Sequence, residues 1–103
     1  MDKEYRLRYL SLFEQDLASA RDYIAFDLMN PTAALRLVVD TEKAILKRLK
    51  NPLAFEPYRS SKDRTHPYYR IHIRNYTVFY VMIDNVMEIR RFVYSKRDLS
   101  GIV

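Results

Sequence analysis

The longest apolar-polar alternation in the chain runs from Tyr68 to Tyr94, where β-branched and aromatic residues dominate. Such composition suits half-buried pleated surfaces and predicts three consecutive strands over 68–73, 76–83 and 86–94. Two-residue turns at Arg74-Asn75 and Asp84-Asn85 divide them. Residues directly opposite across an antiparallel pair share a face, so the two turns test each other. The first sets Ile73 against Tyr76, Ile71 against Val78 and Tyr69 against Tyr80. The second sets Tyr80 against Ile89, Met82 against Met87 and Val78 against Arg91. Both then put Tyr69, Ile71, Ile73, Tyr76, Val78, Tyr80, Met82, Met87, Ile89 and Val93 on one face. Only Arg91 interrupts that surface, as an edge residue whose stem packs while its head escapes. The other face collects Arg70, His72, Thr77, Phe79, Val81, Glu88, Arg90, Phe92 and Tyr94. A one-residue slip would exchange the two sets in any strand.

Residues 4–10 also alternate, with Tyr5, Leu7 and Tyr9 against Arg6 and Arg8, and predict a fourth strand. Ser11 with Glu14 has the spacing of a capping box and opens a helix. Phe13, Leu17, Ala20, Ile24 and Leu28 recur along one stripe of it. Asn30-Pro31 ends that helix and starts another, since proline suits the first helical position. Leu35, Val38, Glu42, Ile45 and Leu49 give the second helix its stripe, with Val39 and Leu46 beside it, and Asn51-Pro52 closes it. Helices joined so tightly form an antiparallel hairpin, the natural cover for the apolar sheet face. Residues 50–67, with Pro52, Pro57, Pro67 and a polar run between them, read as a surface loop. The expected architecture is therefore α+β, in the order β-αα-βββ, with a helical hairpin packed on a mainly antiparallel four-stranded sheet. The 103 residues make one domain.

Composition removes several alternatives. The chain has no cysteine, which excludes disulfides and thiolate metal sites, and its two histidines, His66 and His72, are no metal constellation. No apolar run approaches the roughly 20 residues of a membrane span. The start, Met-Asp-Lys-Glu-Tyr-Arg, lacks the apolar core of a signal peptide, so a soluble cytoplasmic protein is expected. The net charge of +5 is uneven: residues 1–57 carry nine Lys/Arg against nine Asp/Glu, and residues 58–103 carry nine against four. The whole excess lies in the strand-rich half, where a polyanion or acidic partner would dock unless the surface is simply solvated.

Three pieces carry a family likeness: Tyr69-Arg-Ile-His-Ile, then Asn75-Tyr-Thr-Val-Phe-Tyr-Val-Met-Ile-Asp-Asn, then Met87-Glu-Ile-Arg-Arg-Phe-Val-Tyr-Ser-Lys-Arg-Asp-Leu99. With the element order, they make the chain resemble the RelE/ParE superfamily of bacterial toxins from type II toxin–antitoxin systems. The resemblance implies a compact fold, a cognate antitoxin and a basic concave sheet face. RelE-like members cut messenger RNA on the ribosome; ParE-like members inhibit DNA gyrase without being nucleases. On the RelE-like pattern Arg70 and His72 take the positions of basic groups facing the site, and Arg97 that of a phosphate-binding arginine. Thr77 stands where that branch has an arginine, and Val103 near where it has a tyrosine. The ending through Arg97-Asp98-Leu99 looks more ParE-like.

Metal-free RNA cleavage needs a base for the ribose 2′-hydroxyl, cations for charge developing on phosphorus and an acid for the leaving oxygen. His72 is the sheet's candidate base or acid near neutral pH. Arg70 and Arg97, with Arg90 or Lys96, would hold phosphate, while Phe92 and Tyr94 would stack a base. Glu88 is a second candidate base, lying toward the far turn. Each has a plainer reading: His72 as a hydrogen-bonded surface residue, Arg90 with Glu88 as a solvated pair. The favoured expectation is a ribosome-dependent messenger-RNA endonuclease, without cofactor, neutralised by an antitoxin. The alternatives are a gyrase inhibitor and a protein that retains antitoxin binding alone.

Overall fold

The strand-forming alternation is realised as a meander on which both helices pack. The computed structural model describes residues 4–58 and 65–96. In chain order they form β1 (Arg6–Tyr9), α1 (Ser11–Asp22), a single π-helical turn (Tyr23–Asp27), α2 (Pro31–Leu49), β2 (Tyr69–Ile73), β3 (Tyr76–Ile83) and β4 (Val86–Tyr94). The sheet order is β1-β4-β3-β2, with β1 parallel to β4 and the remaining pairs antiparallel. The expected α+β architecture, a helical hairpin on a four-stranded, mainly antiparallel sheet, is the one observed. Among the described residues no helix is long and apolar enough to cross a membrane.

Helix ends follow local chemistry. Asn30 caps α2 by accepting a hydrogen bond from the Ala33 amide at 3.1 Å, and Pro31 occupies the first turn, where its missing N–H costs nothing. At α1 the expected capping box is not formed. Leu10 is the N-cap residue, without a side-chain hydrogen bond, and Ser11 is already helical. Both hairpin turns place their first residue in the left-handed region, Arg74 and Asp84 each at φ 54°. Primed hairpin turns need that geometry, because it follows the right-handed twist of the strands.

The main core lies between the helices and one sheet face. Phe13, Leu37 and Ile45 meet Ile71, Val78, Tyr80, Met87 and Ile89 there. The buried line of α2 is Ala34, Leu37, Thr41 and Ile45, and Leu35 is 66% exposed. The stripe expected from large apolar residues is thus rotated around the axis. The residues at 34 and 41 are small, and counting bulky side chains overlooks them.

A second departure decides the site. The register shifts between Phe79 and Tyr80: Tyr80 pairs with Ile89 while Phe79 pairs with Arg91, so Arg90 is an extra residue without a ladder partner. Such a bulge re-phases everything beyond it. Phe92 now opposes Val78 and joins the helix-side core, whereas Val93 opposes Thr77 and joins a second cluster with Tyr68, Phe79 and Val81 on the outer face. The assignment of Val93 to the helix side and of Phe92 and Tyr94 to the outer side is therefore reversed.

Candidate functional site

The outer face is clearest along β2. Ile71 and Ile73 are buried under the helices, which turns Arg70 and His72 outward, both exposed. His72 opposes Thr77, and its Nδ1 lies 3.3 Å from the Thr77 hydroxyl, itself 2.9 Å from the Ser95 hydroxyl. Thr77 is 3% exposed, so this line of three side chains is anchored in the sheet. It serves either protonation state of the ring. Thr77 donates when Nδ1 is bare and accepts when it carries hydrogen, with Ser95 completing the exchange. The Arg70 guanidinium lies 5.1 Å above the Tyr58 ring, and its backbone carbonyl accepts a hydrogen bond from Arg48 at 3.0 Å. Arg48 also donates to the Tyr80 hydroxyl at 3.1 Å and sits 3.6 Å over the Phe55 ring, tying the end of α2 to the β2 edge.

Nearer β1 the face holds a different arrangement. Glu88 is 6% exposed and accepts from Arg8 at 3.0 Å and from Arg90 at 2.8 Å, one guanidinium on each carboxylate oxygen. Burial opposes the charge on Arg90, but hydrogen bonds to Tyr68 and Glu88 outweigh it and leave its pKa raised. Arg90 with Glu88 is accordingly not the solvated pair of the plainer expectation. Each Glu88 oxygen thus already accepts a hydrogen bond from an arginine.

The bulge takes the expected stacking residues away from this surface. Phe92 is 4% exposed, stacked on Tyr76 at 4.7 Å and edge-on to Phe13 at 6.2 Å. Tyr94 sits edge-on to Tyr76 at 5.7 Å and, with Phe92 and Tyr23, lines a groove of about 1060 Å³ under the helical hairpin. Burial, then the neighbouring phenols of Tyr23 and Tyr94, push the Tyr76 hydroxyl above its ordinary pKa. The structure thus brings Arg70, His72 and Arg90 to one face and places Phe92 and Tyr94 on the other. Lys96 is exposed just past β4. Arg97 and Val103 lie outside the described residues.

Two participants escape sequence reasoning. Asp16 of α1 accepts from Arg91 at 2.7 and 3.2 Å and from the Phe92 amide at 3.0 Å. It takes over where β1 ends, since the last contact of that strand's exit is the Leu10 amide on the Ile89 carbonyl. The Arg91 head therefore does not escape to solvent but is paired, and the hydrogen bonds to Asp16 hold its pKa up against desolvation. The second is Ser95, outside any strand, whose only sequence cue is a hydroxyl after an aromatic run. Among the described residues no group of three His, Asp or Glu side chains is placed to hold a metal ion.

Comparison with known proteins agrees with this geometry. Residues 7–99 match the family model described as the ParE toxin of the type II toxin–antitoxin system parDE. The chromosomal ParDE toxin–antitoxin system from P. aeruginosa contains a chain of the same fold, 17% identical, with TM-score 0.70, covering 90% of this chain and 98% of that one. The archaeal RelE–RelB complex from Pyrococcus horikoshii OT3 holds another, also 17% identical, with TM-score 0.54, covering 93% and 100%. No curated protein sequence matches the chain.

Proposed function

We propose a function from one premise: the chain belongs to the ParE toxin family of type II toxin–antitoxin systems. Membership implies an antitoxin partner. Within that frame we read the protein as a toxin that works by binding, its outer sheet face docking on DNA gyrase and inhibiting it without cutting nucleic acid. One observation carries this over RNA cleavage. The bulge at Arg90 removes Phe92 and Tyr94 from the face that bears Arg70 and His72. That face keeps cations and one imidazole but loses the aromatic pair expected to hold a base. Glu88, the other candidate proton acceptor, is committed to Arg8 and Arg90. A cationic surface, backed by the buried cluster of Tyr68, Phe79, Val81 and Val93, suits recognition of a protein with acidic features. The test is a supercoiling assay with purified gyrase: inhibition is expected near equimolar toxin, and activity that persists under a large molar excess rejects the reading.

A second reading keeps the RNA-cleaving role for His72, because its ring is held at Nδ1 and exposed beside Arg70. His72 would take the 2′-hydroxyl proton while Arg70 and Arg97 neutralise the phosphate. Primer extension on translated transcripts separates the two. Codon-phased cuts that disappear in His72→Ala support cleavage; their absence, with His72→Ala equally toxic, removes it.

A further inference from the structure

Neither reading of the sheet uses the loop that follows α2. It carries the chain around the free edge of β2, from Pro52 on the helix side to Tyr58 on the outer side. At its start the carbonyl of buried Pro52 accepts a hydrogen bond from the Tyr80 hydroxyl at 2.9 Å. At its end the Tyr58 amide donates to the Tyr68 carbonyl at 2.6 Å, and the Tyr58 ring stands edge-on to Phe79 at 5.4 Å. Between these two ties Leu53 and Phe55 are 47% and 50% exposed. The Arg48 guanidinium, 3.6 Å over the Phe55 ring, also donates to the Arg70 carbonyl, so Phe55 sits beside the strand that bears Arg70 and His72. Apolar side chains half in water on a backbone already held in place suit a contact with another molecule, because little ordering remains to be done on binding.

We infer that Leu53 and Phe55 are the apolar anchor of the toxin's contact with gyrase, seating in a notch whose rim carries carboxylates. The inference rests on the gyrase reading and adds to it the residues and chemistry of the contact. Charge and continuity with the Arg70–His72 face decide the occupant. Arg48 and Arg70 flank the anchor without an ion-pair partner among the described residues, and Glu56 is the one carboxylate between Pro52 and Tyr58. Aromatic residues and arginine are the groups enriched where protein surfaces meet. The edge of β2 is closed to strand addition at Tyr68 and Arg70, whose carbonyls are already bonded, so recognition falls to side chains. Nucleic acid fits less well: Phe55 has Arg48 across one ring face, and Leu53 offers a base no flat surface. A second copy in two-fold packing would set Arg48 and Arg70 against their own mates, with one Glu56 per chain to answer two guanidiniums.

The experiment is a gyrase supercoiling assay titrated with whole toxin as wild type, Phe55→Ala, Leu53→Asp and Glu56→Lys. Phe26→Ala, 74% exposed beyond the opposite end of α2, is the control. Urea midpoints that match wild type verify the folds. Half-inhibition is expected to need at least about tenfold more toxin with Phe55→Ala and with Leu53→Asp, and the same amount with Phe26→Ala. Glu56→Lys should lower the requirement about threefold at low salt, a gain that high salt removes and that a merely structural residue would not produce. Wild-type potency in both Phe55→Ala and Leu53→Asp overturns the anchor and leaves the gyrase reading standing; no inhibition by wild type in large molar excess overturns both. Weaker inhibition by Glu56→Lys overturns the carboxylate rim. If the two anchor variants instead abolish codon-phased cuts in translated transcripts, or dissolve a toxin dimer, the surface belongs to RNA or to a second copy and the inference falls.

Discussion

β2 and β4 belong to one sheet, yet they obey the rule of alternation differently. β2 keeps a strict period, buried at Tyr69, Ile71 and Ile73 and exposed at Arg70 and His72. β4 keeps it as far as Ile89, then inserts Arg90 and resumes with its faces exchanged. The difference follows from their neighbours. β2 is an edge strand with a single ladder, so nothing forces an extra residue on it. β4 is flanked on both sides, and β1 stops pairing at Ile89. Beyond that point Asp16 replaces the missing strand, gripping Arg91 and the Phe92 amide from α1. A bulge is the local cost of passing from strand pairing to side-chain pairing within one strand.

Deleting one residue from each strand breaks this comparison most sharply. Removing His72 from β2 shifts its register and turns either the isoleucines outward or Arg70 inward. We expect a loss of more than about 3 kcal/mol and no cooperative urea transition. Removing Arg90 instead leaves Ile89 opposite Tyr80 and Arg91 opposite Phe79, a regular ladder with no face exchanged. Only its hydrogen bonds to Glu88 and Tyr68 disappear, about 1–2 kcal/mol. Were β4 unbroken, the Arg90 deletion would be the more damaging one.

The exchanged faces make a second, slightly smaller contrast. Phe92→Ala opens a cavity between Phe13 and Tyr76 and should cost about 3–5 kcal/mol. Tyr94→Ala, at a position 44% exposed, should cost under about 1 kcal/mol. Equal effects in denaturant unfolding would place both rings on one kind of surface. Next comes the grip itself. Asp16→Ala leaves a half-buried guanidinium and a backbone amide without their acceptor, an expected loss of about 2 kcal/mol. Faster hydrogen exchange should be confined to the amides around Phe92.

These contrasts explain what could be read from the residues alone. Element order, both hairpin turns and the pairing of β2 with β3 follow from alternation and turn chemistry, which act within a few positions. The pairing of Tyr80 with Ile89 and Met82 with Met87 does too. The bulge does not. It depends on where β1 ends and on a carboxylate 75 residues away from Arg91. The buried line of α2 escapes for a related reason, since Ala34 and Thr41 are buried without the apolar bulk that a stripe of large residues records. At the site, Arg70 and His72 were legible because β2 has only one neighbour. Phe92 and Tyr94 were misplaced because their side of the sheet is set by a contact that no local pattern records.

The smallest expected effect concerns pH and again divides the two faces. On the helix side the Tyr80 hydroxyl is pushed above its ordinary pKa by burial, only partly offset by the hydrogen bond and charge of Arg48. Burial pushes Tyr76 in the same direction. A phenol whose pKa is higher in the folded than in the unfolded chain favours folding while both states keep the proton. That contribution is complete below the unfolded value of about 10 and is lost as pH rises through the folded one. Stability should therefore fall in the alkaline range as the unfolded chain gives up protons that the native state retains. Tyr80→Phe costs about 1 kcal/mol near neutrality, because the hydrogen bond to the Pro52 carbonyl and the one from Arg48 are lost. The variant's alkaline decline should be shallower, and urea midpoints measured from neutral to strongly alkaline pH would register both changes. A parallel decline in wild type and variant would mean that Tyr80 titrates alike in both states, and the shielding of this ring by α2 and the loop at Pro52 would have to be abandoned.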